Sequence, residues 1–307
     1  MNKKSIISLG LVVLSLGFTA CNTKNEPEQP VSPTDSTETP VDSIVKPVVK
    51  SGEFSISATQ KVLFSPGNLQ YQASTKTYRF ASKQYEALGK LNENISSTND
   101  GWIDLFGWGT GNNPALSTSE NTRYWTFTDW GTKVIGEDTA NTWRTLKQAE
   151  WNYILFVRPN ADKLFAGATV NNVQGLLLLP DNWTTPASVS FTPSTDKGLV
   201  IEGDSAANWR YVNETRNNFK HNVYTAEEWT VLENAGAIFL PVDNYRWGKT
   251  YYGEHIAGYY WCADLDEENC WTNSYVAYWV DFNAMEVACK NYCDVAMGNS
   301  VRLAKDM

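Results

Sequence analysis

An unbroken, aromatic-rich segment runs from Phe54 to the last residue, Met307. It contains all 13 tryptophans of the chain, which fall between Trp102 and Trp279. No Pro/Ser/Thr-rich stretch interrupts these roughly 254 residues, and aromatic side chains bury large areas when a chain folds. We therefore predict one folded domain over residues 53–307.

Short strand patterns are spread through this segment. Phe54-Ser-Ile-Ser57 alternates apolar and polar residues, as a half-buried strand does. Leu69–Gln72 and Tyr78–Phe80 flank a polar turn and predict a hairpin, after a Pro-Gly turn at Ser65–Asn68. These patterns predict mainly antiparallel strands.

Two segments have helical patterns. The first is predicted to begin near Thr145, with Gln148 as its capping partner, and to end near Val157. The second is predicted to begin at Thr225, with Glu228 in the same capping role, and to end near Gly236. Helices and strands together predict an α+β fold.

The amino terminus has the pattern of a secretory signal. Lys3 and Lys4 precede an apolar run that ends at Ala20 and is too short to span a bilayer comfortably. Phe18-Thr-Ala-Cys21 resembles the lipobox of bacterial lipoproteins, which implies a signal peptide over 1–20 and lipidation of Cys21. An ordinary signal peptide with an incidental cysteine is the alternative.

Residues 21–52 are rich in Pro, Thr, Ser, Glu and Asp, and they contain few large apolar groups. Such a composition predicts a disordered tether, because too little apolar area is available to offset the entropy of ordering. Acidic residues soon after the cysteine, Glu26 and Glu28, are similar to those of surface lipoproteins of Gram-negative gut anaerobes. We expect a lipid anchor in the outer membrane with display at the cell surface, and a periplasmic orientation stays open.

The charge balance argues against several classes of function. The chain has 25 basic and 34 acidic residues, so its net charge of −9 opposes nucleic-acid binding. Two histidines in separate segments, His221 and His255, argue against a His-rich metal site or a Ser-His-Asp hydrolase. Many Tyr, Trp, Asn, Ser and Thr residues are typical of a binding surface. We predict a binding protein without enzymatic activity, metal or cofactor.

Three motifs follow one another in the carboxyl-terminal third: Gly258-Tyr-Tyr-Trp261-Cys-Ala, Ala277-Tyr-Trp-Val-Asp-Phe-Asn283 and Gly298-Asn-Ser-Val-Arg-Leu303. They resemble the closing segment of a lectin-like family related to the formylglycine-generating enzymes. Upstream, Phe64–Gln70 and Ala235–Pro241 are similar to other segments of that family. The resemblance implies a C-type-lectin-like fold, with a small twisted, mainly antiparallel sheet, two helices and long loops.

Between these motifs the chain departs from the family pattern, and Cys262-Ala263 stands where relatives have Ser-Ser/Thr. A constant framework around unusual residues resembles the variable proteins of diversity-generating retroelements. This resemblance implies a variable region at about 262–297 that binds a protein or glycan ligand. A non-diversified adhesin or structural lipoprotein of the same fold is the alternative.

Period-two alternation divides the strand around Val280 into two faces. We expect Tyr278, Val280 and Phe282 to be core and their neighbours to face solvent. The predicted ligand-binding residues are Trp271, Tyr275, Trp279, Asp281, Asn283, Glu286, Lys290, Tyr292 and Asp294.

Four cysteines near the carboxyl terminus admit several interpretations. A disulfide is expected in an exported chain, with three possible pairings, and free variable cysteines are the alternative, among Cys262, Cys270, Cys289 and Cys293. Cys289 and Cys293 flank a tyrosine, which resembles the copper-binding pair of formylglycine-generating oxidases. Their spacing is one residue shorter than in those enzymes and the Arg-Gly-Gly-Ser motif is absent, so the oxidase is the weaker alternative.

Two other groups have both a functional and a structural interpretation. Oxygen ligands between Asp264 and Asn269 fit calcium, but sugar-binding calcium motifs are absent, and we predict a solvated acidic loop. Tryptophans near Gly101–Gly109 fit sugar stacking, and we predict most of them as core: Trp102, Trp108, Trp125 and Trp130.

Overall fold

The computed structural model describes residues 52–119, 122, 126–193, 209–211, 219–254, 256–270, 275–284 and 286–307, with the backbone alone at 209–211. All of these residues fall within one compact unit, Pro47–Met307. The predicted signal peptide, Cys21 and the tether up to residue 51 lie outside the described residues. In the described part, no helix is long and apolar enough to cross a membrane.

Strands dominate the described residues. They are β1 Glu53–Ser55, β2 Lys61–Phe64, β3 Leu69–Gln72, β4 Thr77–Phe80, β5 Trp102–Ile103, β6 Arg144–Thr145, β7 Phe165–Val170, β8 Val173–Leu178, β9 Trp209–Tyr211, β10 Val223–Tyr224, β11 Ile238–Pro241, β12 Tyr245–Trp247, β13 Thr250–Tyr252, β14 Ala257–Leu265, β15 Val276–Asn283, β16 Glu286–Ala288, β17 Tyr292–Asp294 and β18 Leu303–Asp306. The helical segments are α1 Gln148–Asn152, α2 Ala226–Asn234, a π-helical turn Tyr153–Val157 and 3₁₀ turns Gly89–Asn94, Trp130–Thr132 and Ala161–Lys163.

The described strands form five small sheets rather than the single sheet expected. Their orders are β1-β2-β18-β6, β10-β7-β8-β11, β4-β3-β5, β12-β13 and β14-β15-β16-β9, with β17 also paired to β15. Every pairing between these strands is antiparallel except that of β10 with β7. The predicted α+β class with mainly antiparallel strands is confirmed.

The start of the first helix differs from the prediction. Thr145 belongs to β6, where it pairs with Leu303 and donates its N–H and Oγ1 hydrogen bonds to the carboxylate of Asp129 (2.9 and 3.0 Å). α1 therefore begins three residues later, and Glu150 caps it by accepting the Lys147 N–H at 2.7 Å. The π-helical turn extends the helical segment to Val157, where the sequence predicted its end.

The start of the second helix agrees with the sequence. Thr225 Oγ1 accepts the N–H of Glu228 (3.2 Å), and Glu228 Oε2 accepts the N–H of Thr225 (2.8 Å). This reciprocal capping box satisfies donors that the first helical turn leaves unpaired. The helix ends before Gly236, whose φ of +99° favours glycine.

Removal of this cap is expected to weaken the domain. Thr225→Ala should lower the free energy of unfolding by about 1 kcal/mol, because the Glu228 N–H loses its acceptor. Urea denaturation followed by circular dichroism measures the change. Thr230→Ala, also exposed and inside the same helix, is the matched control and should be neutral or slightly stabilising. Equal losses in both variants would contradict the role of the cap.

The two long strands, β14 and β15, separate two core clusters. The first core cluster takes Val280 and Phe282 from β15 and packs them with residues of β2, α1 and β14, namely Phe64, Trp151, Tyr260 and Cys262. In the second core cluster, Ala277 of β15 packs with residues of other strands and loops. These include Ile103, Phe106, Trp130, Trp261, Cys293 and Leu303. A third cluster lies around α2, with Trp229 against Phe239. Both faces of the β14–β15 pair are therefore covered along part of their length.

Candidate functional site

The predicted ligand-binding residues lie on and beside the β14–β15 hairpin. Tyr259 pairs with Asp281, and Trp261 pairs with Trp279. Because side chains alternate along a strand, these four residues share one face of the sheet. β16 and β17 continue the sheet on the other side of β15.

The expected division of β15 is only partly correct. Val280 and Phe282 are buried, as predicted, and Tyr278 is half-buried against the first core cluster. Trp279 and Asn283 are half-buried rather than exposed. Asp281 was predicted to face solvent, but only 7% of its surface is exposed. It lies between β14 and β16, and Asn291 Nδ2 donates to its carboxylate at 3.0 Å.

The remaining predicted residues lie around this sheet with differing exposure. Tyr275 and Tyr292 are exposed, at 38% and 46% of their surface. Glu286, Lys290 and Asp294 are half-buried. Trp271 lies outside the described residues. Among the described residues, fewer of the predicted ligand-binding side chains are exposed than the sequence suggested.

A row of four aromatic rings crosses this part of the surface. Tyr252 stacks on Tyr245 with ring centroids 5.0 Å apart, Tyr245 and Tyr259 form a T-shaped pair at 5.8 Å, and Tyr259 stacks on Trp279 at 4.5 Å. We call these four residues the aromatic row. Tyr252 is 40% exposed and the other three are half-buried. The row joins β12, β13, β14 and β15 through ring contacts.

Three members of the aromatic row precede the region that the sequence singled out. Tyr245, Tyr252 and Tyr259 lie before residue 262, so the predicted site omitted them. The clustering of five tyrosines between 245 and 260 was the available signal. Strand pairing outside that region, between Tyr245 and Tyr252, brings two of them together.

Acidic and amide groups border the aromatic row. Burial raises the pKa of Asp281 to about 7, the nearby Glu286 adds to the rise, and the hydrogen bond from Asn291 opposes it. Burial, with the charges of Asp281 and Glu286, also raises the pKa of Tyr259 to about 12. Trp279 Nε1 has no hydrogen-bond partner among the described residues. Because Trp279 Nε1 and Asp281 are buried, the site offers ring surface with the half-buried carboxylate of Glu286 beside it.

The four cysteines of this region are free thiols, in contrast to the disulfide expected from the sequence. Cys262 and Cys289 lie in the first core cluster, whereas Cys293 lies in the second, on the opposite face of β15. Burial raises the pKa of all three thiols, which disfavours the thiolate that copper binds. Cys270 is half-buried, with its Sγ 3.6 Å from the Val276 carbonyl oxygen. Cys289 and Cys293 therefore do not share one pocket in the core.

The acidic loop after β14 is only partly solvated. Glu267 and Glu268 are exposed, but Asp266 is buried and accepts a hydrogen bond from Asn269 Nδ2 at 2.7 Å. Asp264 accepts the Gln148 N–H at the start of α1 (2.9 Å). Among the described residues, no group of three or more His, Cys, Asp or Glu side chains is arranged to hold a metal ion.

Two of the three described tryptophans near Gly101–Gly109 are core, as predicted. Trp108 and Trp130 are buried, and Trp108 Nε1 donates to the Cys262 carbonyl at 3.0 Å. Trp102 is half-buried beneath the guanidinium of Arg79, which lies 3.8 Å from its ring centroid. Trp125 lies outside the described residues.

No protein-family model matches the chain, and neither a curated protein nor a solved structure was found to be significantly similar to it. The function is therefore argued from the residues and their geometry.

Proposed function

We propose that this protein is a surface-displayed, lipid-anchored binding protein of C-type-lectin-like fold. Cys21 carries the acyl anchor in the outer membrane, and residues 21–52 tether the folded domain to it. A protein or glycan ligand binds at the face that includes the aromatic row. The observation that carries this proposal is the aromatic row itself, which is partly exposed beside Asp281 on a paired sheet.

Physical considerations favour a binding role for this row. Tyrosine and tryptophan supply large contact areas at a low cost in conformational entropy. Strands hold these side chains more rigidly than loops do, so little ordering is needed when a ligand binds. The half-buried carboxylate of Glu286 adds direction to a surface that would otherwise be apolar.

Diversification of this face by a retroelement is part of the proposal. Framework residues Trp261, Phe282 and Val301 are almost fully buried, whereas Tyr275 and Tyr292 are exposed. A fold that tolerates variation needs this separation between fixed core and variable surface. Cys262, Cys289 and Cys293 are buried, so variation at these positions would disturb the core.

The DNA beside the gene tests the diversification. The expected result is a near-copy of the last 100 or so bases, differing almost entirely where the template has adenine, together with a reverse transcriptase gene. Absence of both within a few kilobases would leave the non-diversified adhesin of the same fold.

A binding selection tests the site. Immobilised protein is screened against a glycan array and a displayed library of random 12-residue peptides. We expect retained probes to bind at least about tenfold more weakly to the double variant Tyr252→Ala/Trp279→Ala, because aromatic anchors dominate binding energy.

The matched control is Tyr153→Ala/Trp102→Ala, which removes one half-buried tyrosine and one half-buried tryptophan elsewhere. Its affinity should stay within about twofold of the wild type. Equal affinity of the wild type and the Tyr252→Ala/Trp279→Ala variant would place the site elsewhere. Failure of the wild type to retain any probe would overturn the binding function.

A further inference from the structure

We propose that the aromatic row receives a lysine or arginine side chain from a basic protein partner. This inference rests on the proposed binding function and names the chemical class of the ligand. It follows from the charges around the row and from the way its rings are exposed.

The segment that forms this face is strongly acidic. Residues 245–297 contain eight acidic and three basic residues, which are Glu254, Asp264, Asp266, Glu267, Glu268, Asp281, Glu286 and Asp294 against Arg246, Lys249 and Lys290. Arg246, Asp266 and Asp281 are buried, so their charges contribute little at the surface, and six acidic and two basic residues of this segment remain. Burial raises the pKa of Tyr278 and the charges of Asp264, Asp266 and Glu268 add to the rise, so these three acids lie towards the face of β15 opposite Trp279. The acids nearest the aromatic row are Glu254 and Glu286, and such groups attract cationic partners and repel anionic ones.

Carboxylates stand close to the rings at two places. Asp281 pairs with Tyr259 across the sheet but is buried, whereas the half-buried Glu286 adds its charge to the burial that raises the pKa of Tyr259 in the middle of the aromatic row. Glu254 is exposed and follows Tyr252 by two residues. An ammonium or guanidinium group gains from a ring face and from a neighbouring carboxylate together.

The exposed end of the row suits such a group. Tyr252 is covered on one side by Tyr245, with their ring planes 10° apart, and 40% of its surface stays exposed. A cation above an aromatic face is attracted by the negative charge of the π system. Tyr252 with Glu254 therefore offers the attraction that a basic side chain needs.

Desolvation decides between a basic protein and a neutral glycan. A ligand that covers Glu254 and Glu286 removes water from two carboxylates, and this is costly unless a charged partner replaces the water. A neutral sugar supplies hydroxyl donors only, whereas lysine and arginine supply charge-assisted hydrogen bonds. The acidic balance of this face therefore favours a basic polypeptide.

The test uses peptides that the wild-type protein selects from the displayed library of random 12-residue sequences. We expect these peptides to carry net positive charge. Their affinity should fall about tenfold or more between about 0.05 and 0.5 M NaCl, because salt screens exposed charges. Titration calorimetry measures the affinity of each peptide at both salt concentrations.

Charge-matched variants locate the effect. Glu254→Gln/Glu286→Gln should weaken binding by about fivefold or more, whereas Asp100→Asn/Glu137→Gln, which removes two exposed acids elsewhere, should change it by less than about twofold. Equal weakening in both double variants would overturn the proposal, since it would show only an effect of net charge.

Other outcomes separate this inference from the proposed function. The selected probes could be neutral or acidic peptides, or glycans whose affinity does not depend on salt. If their binding still depends on Tyr252 and Trp279, the proposal of a basic partner is wrong and the proposed binding site stands. If no peptide or glycan is retained by the wild type, both proposals fail.

Discussion

Asp281→Asn is expected to make the protein more stable than the wild type above pH 7. The folded-state pKa of Asp281 is raised to about 7 from an ordinary value of 3.8, chiefly by burial. The folded protein therefore holds this proton more tightly than the unfolded chain does. The contribution of this proton to the free energy of unfolding is fully present below about pH 3.8 and is lost as the pH rises to about 7. Asparagine does not ionise, so the variant avoids this loss.

The expected gain is of the order of 4 kcal/mol above pH 8, from about 1.4 kcal/mol for each pH unit between the two pKa values. The side-chain oxygen of asparagine can still accept the hydrogen bond from Asn291 Nδ2. Urea denaturation at pH 5 and at pH 8.5 measures the difference. The wild type should lose stability between these values, and the variant should change much less.

Asp100→Asn provides the control, because Asp100 is exposed and its replacement removes the same charge. Its pH profile should follow that of the wild type. A constant difference between wild type and Asp281→Asn across the pH range would contradict the raised pKa. The groups that act on Asp281, Asn291 and Glu286, are unchanged in both variants.

A carboxylate that costs stability when ionised is typical of functional sites. Asp281 pairs with Tyr259 on the same face of the sheet as the Tyr259–Trp279 stack, where a fully apolar residue would pack with less cost. Asn291 covers Asp281 and only 7% of its surface is exposed, so its charge acts on the aromatic row from beneath the surface rather than by contact with a ligand.

Sequence patterns over a few neighbouring residues predicted some helices and strands correctly but misplaced others. The capping box of α2 and the β3–β4 hairpin involve residues close in sequence, so their patterns were readable. The start of α1 was misplaced because Thr145 pairs with Leu303, far along the chain. Tertiary pairing of this kind overrides local propensity.

The site was only partly predictable for the same reason. Alternation along β15 correctly separated its two faces, but it does not reveal what covers each face. Asn291 and the neighbouring strands cover Asp281, and the sequence pattern contains no sign of this. The aromatic row joins residues from four strands, so only the fold brings Tyr245 and Trp279 into one surface.

The largest loss of stability is expected for Trp261→Ala. Trp261 is 1% exposed, lies in the second core cluster and donates from Nε1 to the Phe106 carbonyl at 2.7 Å. Removal of a buried tryptophan costs about 3–5 kcal/mol through lost packing and an unfilled cavity. The Phe106 carbonyl keeps its hydrogen bond from the Asn299 N–H (2.9 Å), so the loss of the Trp261 donor adds only about 0.5–1.5 kcal/mol. Thermal and urea unfolding measure the change.

Trp261→Phe keeps the measurement possible if the alanine variant does not fold. It keeps part of the ring and loses the N–H donor, so a loss of about 1–3 kcal/mol is expected from the partial cavity and the lost hydrogen bond together. Trp279→Ala is the matched comparison, because Trp279 pairs with Trp261 across the sheet but is half-buried and its Nε1 has no partner among the described residues. Its loss of stability should be clearly smaller than that of Trp261→Ala, while its loss of binding should be larger than that of Trp261→Phe. Equal destabilisation by Trp261→Ala and Trp279→Ala would show that both rings are core, and the aromatic row would then not be a ligand surface.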